Sequence, residues 1–360
     1  MARMDQWLAL DPLDTLFFRG SEPMIAGEGH EVGTLFTPLP ETCLGALCTA
    51  ILKQQGIKPS DYAGAHGPTT ALRERFPLLG EPGNPGFQIL GPLFCWQTPA
   101  SGPTWFYPAP AHWFADLDGL SEDKPALVTI AVADELPPKF SELGLVGSVT
   151  SPAWVLSPPS DNLMTLAGHW INHLALENFS PKGGSLQYCP QLSGADPSKP
   201  LLIPLNALFG REIRTGIAID YGLRRVKKGH LYTSTQVRLQ PGVLLILGFS
   251  PALVPDYLDP EGVFQLGGEQ RRVSYALLKD GPPLTQGSSS WLMSLMPFPC
   301  DSLGLYGWQD RLRFSGPLIR LAGWDMKTKF HKPTRAFFPA GTVIKAKPED
   351  PVPFGFIRLS

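Results

Sequence analysis

The sequence predicts an α+β protein built from two mixed domains with antiparallel sheets. Three observations carry this expectation. Proline (39) and glycine (37) are together about twice as frequent as in average proteins, which disfavours long helices and favours short strands joined by turns. Hydrophobic residues make up 43% of the chain, enough for packed cores. Strands and helices do not alternate regularly, so a doubly wound parallel sheet is not expected. At 360 residues the chain exceeds one ordinary domain and suits two, with a division near residue 200.

Residues 7–19, WLALDPLDTLFFR, alternate and then run apolar, which predicts a first strand with Pro12 at an edge or bulge. A loop rich in Gly and Pro follows. Thr42 then reads as the cap of a helix, CLGALCTAILKQQG, with apolar residues at 44, 47, 48, 51 and 52. Lys53 falls in its last turn and Gly56 stops it. Residues 57–110 are broken by Pro and Gly, with a short helix at 69–75 and aromatic anchors at Trp96, Trp105, Phe106 and Tyr107. ALVTIAV (126–132) predicts a strand. The spacing in 160–178, SDNLMTLAGHWINHLALEN, predicts a second helix, and 179–200 reads as a linker or exposed loop. From 201 the chain is strand-rich: LLIPLNALF, TGIAID, HLYTSTQVRL, GVLLILGFS, SYALL, RLRFSGPLIRLAGW and GTVIKA, with 287–297 open between strand and loop.

The net charge of −2 conceals an asymmetry. Residues 1–150 carry 8 basic and 17 acidic side chains, a net of −9. Residues 151–360 carry 22 basic and 15 acidic, a net of +7. Such a chain can present a basic face to a polyanion, with the acidic stretch 111–145 facing a basic neighbour or solvent. The five cysteines, Cys43, Cys48, Cys95, Cys189 and Cys300, are scattered and contain no C-x-x-C pair, so neither a metal cluster nor a disulfide framework is expected. Asp5, Asp11 and Asp14 interrupt the N-terminus, which is unlike a signal peptide, and no apolar run reaches membrane-spanning length. The expectation is a soluble cytoplasmic protein.

Catalytic motifs are sparse. His169 and His173 stand at i and i+4, but Trp170 occupies the place where a zincin has Glu. Gly27 to Gly33 is spaced one residue too long for a dinucleotide fingerprint. There is neither a P-loop nor a G-x-S-x-G elbow, and no cofactor is expected. Three basic segments are more informative. GREIRTGIAIDYGLRRVKKGHLYTSTQVR (210–238) reads as strand, basic loop, strand, with Arg214, Arg224, Arg225, Lys227 and Lys228 suited to a phosphate backbone and Tyr232 to stacking. LGGEQRR (266–272) sets Gly267 and Gly268, which let the backbone approach a ligand closely and leave N–H groups free for an anion, beside the bidentate phosphate donors Arg271 and Arg272. GWDMKTKFHKPTR (323–335) interleaves Lys327, Lys329, Lys332 and Arg335 with aromatic rings, a pattern suited to single-stranded nucleic acid.

Taken in order, LDPLDTLFFRGSEPM (10–24), TPLPETCLGALCTAIL (37–52), the 214–238 stretch, LGGEQRR and GWDMKTKFHKPTRAFFPAGTVI (323–344) resemble the RAMP-superfamily subunit of the type III-B (Cmr) CRISPR effector that holds the 5′ end of the guide RNA. The resemblance implies two ferredoxin-like (RRM-like) domains with long Gly/Pro-rich insertions, at 1–200 and 201–360. It implies a non-catalytic protein without metal or cofactor that binds the repeat-derived 5′ tag of the CRISPR RNA. It also implies a place between the large polymerase-like subunit and the backbone RAMP subunits, in antiviral defence and away from membranes. Arg19 then lies at the first-strand end, Gly45-Ala46-Leu47 in the first domain's helix, residues 266–272 in the RAMP glycine-rich loop, and 214–238 in a thumb that meets RNA. Relatives often carry Arg after the Gly-Ala-Leu; here Cys48 stands there and Lys53 is the substitute cation. The alternative is a metal-independent endoribonuclease that processes precursor CRISPR RNA, with His30 or His230 as its base.

Overall fold

A continuous apolar run, Trp7 to Leu10, forms the buried middle of β1 (Gln6–Pro12), with Leu8 and Leu10 fully buried. β2 (Glu31–Val32) precedes α1 (Pro40–Gln54), which buries Cys43, Leu47, Ala50 and Ile51 along one face and also buries Leu52 in its last turn. Two short helices follow, α2 (Pro59–Tyr62) and α3 (Thr70–Arg75), the second capped by the Thr69 hydroxyl. The chain then forms β3 (Gln88–Thr98), β4 (Ser101–Pro108), β5 (Trp113–Asp116) and β6 (Ala126–Val132). β7 (Asp134–Glu135), β8 (Ala153–Trp154), β9 (Leu163–Thr165) and β10 (His169–Asn172) lead into α4 (His173–Glu177). Next come β11 (Gly184–Tyr188), β12 (Leu201–Pro204), and a long hairpin of β13 (Phe209–Asp220) and β14 (Arg225–Leu239). β15 (Val243–Ser250), β16 (Glu261–Gln265) and β17 (Arg272–Leu278) follow. The last part holds β18 (Trp291–Ser294), β19 (Phe298–Pro299), α5 (Ser302–Leu305), β20 (Arg313–Phe314), β21 (Ile319–Asp325), β22 (Phe330–Phe338), β23 (Val343–Lys345) and β24 (Phe356–Arg358). The computed structural model describes residues 4–20, 31–63, 67–98, 101–137, 153–177, 183–220, 222–223, 225–284, 287–325 and 330–360; the side chains of 31, 101, 218, 227–232, 305, 323–325 and 330–332 lie outside that description.

The strands make an α+β protein dominated by one sheet of twelve, in the order β16-β17-β1-β15-β3-β4-β10-β12-β11-β6-β5-β9. Its pairings are antiparallel except β11 with β12. β1 is flanked by β15 and β17, so the first strand of the chain pairs with strands more than 200 residues further on. The main core lies against it, around Phe94, Phe106, Tyr107 and Trp113. The long hairpin forms a separate sheet with β2, and β21 and β22 form another with β19.

Several expectations change. The first strand stops at Pro12 rather than running to 19, because proline has no N–H for the ladder. The chain leaves the sheet there, and Leu16 joins the hairpin by a bridge to Val237. The first helix begins at Pro40, so Thr42 is inside it rather than its cap; proline suits a first turn whose N–H groups lack helical acceptors. Residues 160–178 are not one helix. They form β9, a turn at Gly168 (φ +88), β10 and the short α4. Trp170, Ile171 and Asn172 are all buried, and since consecutive strand residues point to opposite faces, both faces of β10 are covered. Residues 184–188, expected within a linker, form β11 in the large sheet. His169 therefore lies on a strand and His173 on a helix, which removes the i, i+4 pairing.

Candidate nucleic-acid interface

The glycine-rich loop is built by its contact with the segment after β1. Gly268 N–H donates to the Phe17 carbonyl (2.7 Å). At Gly267 (φ +86) a Cβ would lie 2.4 Å from that same oxygen, so only glycine fits. Leu266 N–H donates to Arg271 O (2.9 Å) and Arg271 N–H to Gly268 O (3.2 Å), closing the turn. Between them Glu269 (φ 52) and Gln270 (φ 56) occupy the left-handed region, a conformation that costs energy and is held by its surroundings.

Arg271 and Arg272, neighbours in sequence, face different environments. Arg271 is only 18% exposed and donates to Asp14 Oδ2 (2.8 Å) and Glu269 Oε2 (3.2 Å). Arg214 donates to both Asp14 oxygens (3.1 and 3.2 Å) and to Glu212 Oε1 (2.8 Å). Arg238 joins the same group through Asp14 Oδ1 (2.9 Å) and Glu212 Oε2 (2.9 Å). The Arg214 hydrogen bonds above all hold the Asp14 carboxyl down at about 2. Two of the arginines expected at RNA, Arg214 and Arg271, are thus engaged with carboxylates of this chain.

Arg272 is exposed and lines a cleft of about 370 Å³ between α1 and β16. Lys53 lines the same cleft and donates to Gln265 Oε1 (3.0 Å). Ala46, Ala50 and Val263 form its apolar wall. Two cations thus stand at a groove with an apolar side, which can take a phosphate and an unstacked base together. Thr49 and Gln265 also line it and were not singled out from sequence; the cleft joins segments too distant in the chain for spacing to reveal.

The hairpin projects from this region. Its register runs from Phe209 opposite Leu239 to Asp220 opposite Arg225, with a bulge between Ile217 and Ile219. Ile213 (68% exposed), Ile217, Ile219, Leu223 and Val226 are exposed, as are Arg211 and Arg225. Lys227, Lys228 and Tyr232 lie on β14, with side chains outside the description, and Arg224 lies outside the described residues. On the second hairpin Lys332 pairs in register with Gly323, again without a described side chain; Lys327 and Lys329, like His30, lie outside the described residues. Arg335 binds both Glu41 oxygens (2.8 Å each) at the start of α1, with its guanidinium 4.9 Å from the Phe337 ring centre. Arg19 is exposed and its backbone bridges Thr34. Among the described residues there is no cluster of three metal-ligating side chains, and no helix is long and apolar enough to cross a membrane.

The chain is thus a strand-rich α+β protein with a glycine-rich loop, a long hairpin and a cation-bearing cleft. Residues 8–291 match the family described as CRISPR-associated protein (Cas_Cmr3), and the chain belongs to that family. No curated protein sequence matches it. Among solved structures it is similar to a chain of the type III-B Cmr-beta complex bound to cognate target RNA and AMPPnP, with 16% identity, 94% of this chain and 86% of that chain covered, and a TM-score of 0.49. It is also similar to a chain of the Csm3-Csm4 subcomplex of the type III-A CRISPR-Cas interference complex, with 10% identity, 98% and 94% covered, and a TM-score of 0.41.

Proposed function

We propose that this Cmr3-family chain is a non-catalytic subunit of a type III-B effector that holds the repeat-derived 5′ tag of the CRISPR RNA. In this reading it also links the large polymerase-like subunit to the backbone RAMP filament. The observation that carries the reading is the meeting of Lys53 and Arg272, from distant parts of the chain, at one cleft beside the glycine-rich loop. Cations at such a groove neutralise phosphates while its apolar wall receives a base. The hairpin adds exposed aliphatic side chains flanked by Arg211 and Arg225, a combination suited to wedging between unstacked bases. Two ferredoxin-like units, at 1–200 and 201–360, belong to the same reading; their strands would meet in the twelve-stranded sheet, so unfolding should follow one transition.

The test is charge reversal at the cleft. Lys53→Glu with Arg272→Glu should weaken binding of a tag-bearing single-stranded RNA and reduce the slope of log K against log salt by about 1.4, the value for two lost phosphate contacts. Unchanged affinity and slope would exclude the cleft. Repeat RNA incubated with the full chain in EDTA should stay intact; cleavage would instead favour the endoribonuclease.

A further inference from the structure

The Asp14 carboxylate reaches three separate places at once. It lies two residues beyond the end of β1 and meets Arg214 on β13, Arg238 on β14 and Arg271 at the end of the glycine-rich loop, at 2.8 to 3.2 Å. Each arginine has a second carboxylate within its own element. Glu212 serves Arg214 and Arg238 on the hairpin, and Glu269 serves Arg271 on the loop. Asp14 is therefore not needed to satisfy any arginine locally. What it adds is a connection between elements: β1, the hairpin base and the loop are held by one pair of oxygens. Gln236 supplements it, donating to Glu269 Oε2 (2.8 Å) and accepting from the Thr15 hydroxyl.

We propose that Asp14 is a positioning residue that locks the long hairpin and the glycine-rich loop into one unit, fixing the spacing between the two surfaces that flank the RNA. The proposal rests on the RNA-holding role inferred above. An isolated exposed ion pair contributes little, but a hub shared by three guanidinium groups couples the elements that carry them. Asp14 has a second consequence. Three arginines and three carboxylates (Asp14, Glu212 and Glu269) leave the group neutral, so it offers no excess attraction to an arbitrary polyanion. Loss of the Asp14 charge makes the group +1. Discrimination should then fall from both sides, because the tag loses its fixed frame and unrelated RNA gains an electrostatic contact.

The experiment uses the full chain with Asp14→Asn, which keeps shape and removes charge, and Asp14→Glu, which restores charge. Hydrogen exchange is followed at 209–216, 232–239 and 266–272. Affinity is measured for a tag-bearing single-stranded RNA and for an unrelated RNA of the same length. Asp14→Asn should raise exchange at the hairpin base and the loop together. It should lower the preference for the tag by about tenfold and steepen the salt slope for unrelated RNA by about 0.7. Asp14→Glu should recover most of the preference. Exchange that rises at one element alone, or that does not change, overturns the proposal, as does equal weakening of both RNAs. If the native chain shows no preference for the tag, the RNA-holding role fails, and the exchange at the two elements alone decides whether Asp14 couples them.

Discussion

At the scale of single residues, burial and pairing decide what a charged or titratable group can do. His112 is fully buried, with its ring 5.0 Å from Trp291 and 6.2 Å from Phe314. Burial pushes it down to about 3, so it is neutral in the folded protein throughout the physiological range. In the unfolded chain it takes up a proton near 6.5. The folded value is depressed, so its contribution to stability is complete above 6.5 and is lost as pH falls toward 3. His112→Phe should flatten the dependence of Tm on pH across that window relative to the native chain; an equally steep dependence would show that other groups set it. Asp14 behaves in the same direction at lower pH. Its carboxyl is held at about 2 against an ordinary 3.8, so its clamp is intact above about 4 and released only as the pH falls through that interval. Arg271 and Arg272 show how far apart two adjacent residues can stand in role: one is tied to Asp14 and the other is open at the cleft. Sequence spacing cannot separate them, because Arg271 closes the turn of the glycine-rich loop while Arg272 opens β17.

Among the elements, the glycine-rich loop is tightly confined. Gly267 sits against the Phe17 carbonyl with a positive φ, and two non-glycine residues follow in the left-handed region. Gly267→Ala should destabilise the protein by about 3 kcal/mol, since the methyl must displace backbone rather than a mobile side chain. Denaturant unfolding checks this, and a loss below about 0.5 kcal/mol would mean the loop relaxes freely. The sequence reads Gly-Gly as letting backbone approach a ligand with free N–H groups, whereas the Gly268 N–H is engaged by the Phe17 carbonyl of this chain, a partner too distant in sequence for spacing to reveal. α1 was legible because its apolar residues recur at helical spacing and one face is buried. The 160–178 segment shows the limit. Its apolar residues fit a helical period, yet Trp170 and Ile171 are both buried because β10 has covered faces on both sides. A strand enclosed in this way loses the alternation that would identify it.

Across the whole molecule, the charge asymmetry acquires a structural meaning. The acidic part contributes Asp14, Glu41, Asp134 and Glu135, and the basic part answers with Arg214, Arg238, Arg271, Arg335 and Lys345. Part of the positive excess is therefore matched inside the chain, fastening both hairpins to the region around β1 and α1. The cleft with Lys53 and Arg272 stands apart from these pairs. This division was beyond the reach of composition, which counts charges without locating their partners. In the proposed function the cleft, the loop and the hairpin hold one defined end of a guide RNA. The decisive measurement is sequencing of the RNA recovered from the purified effector assembly. A single uniform 5′ end carrying the repeat-derived tag is expected, and a ragged 5′ end when Lys53 and Arg272 are both reversed in charge. An assembly without RNA, or one whose RNA has ragged 5′ ends with the native chain in place, would contradict it.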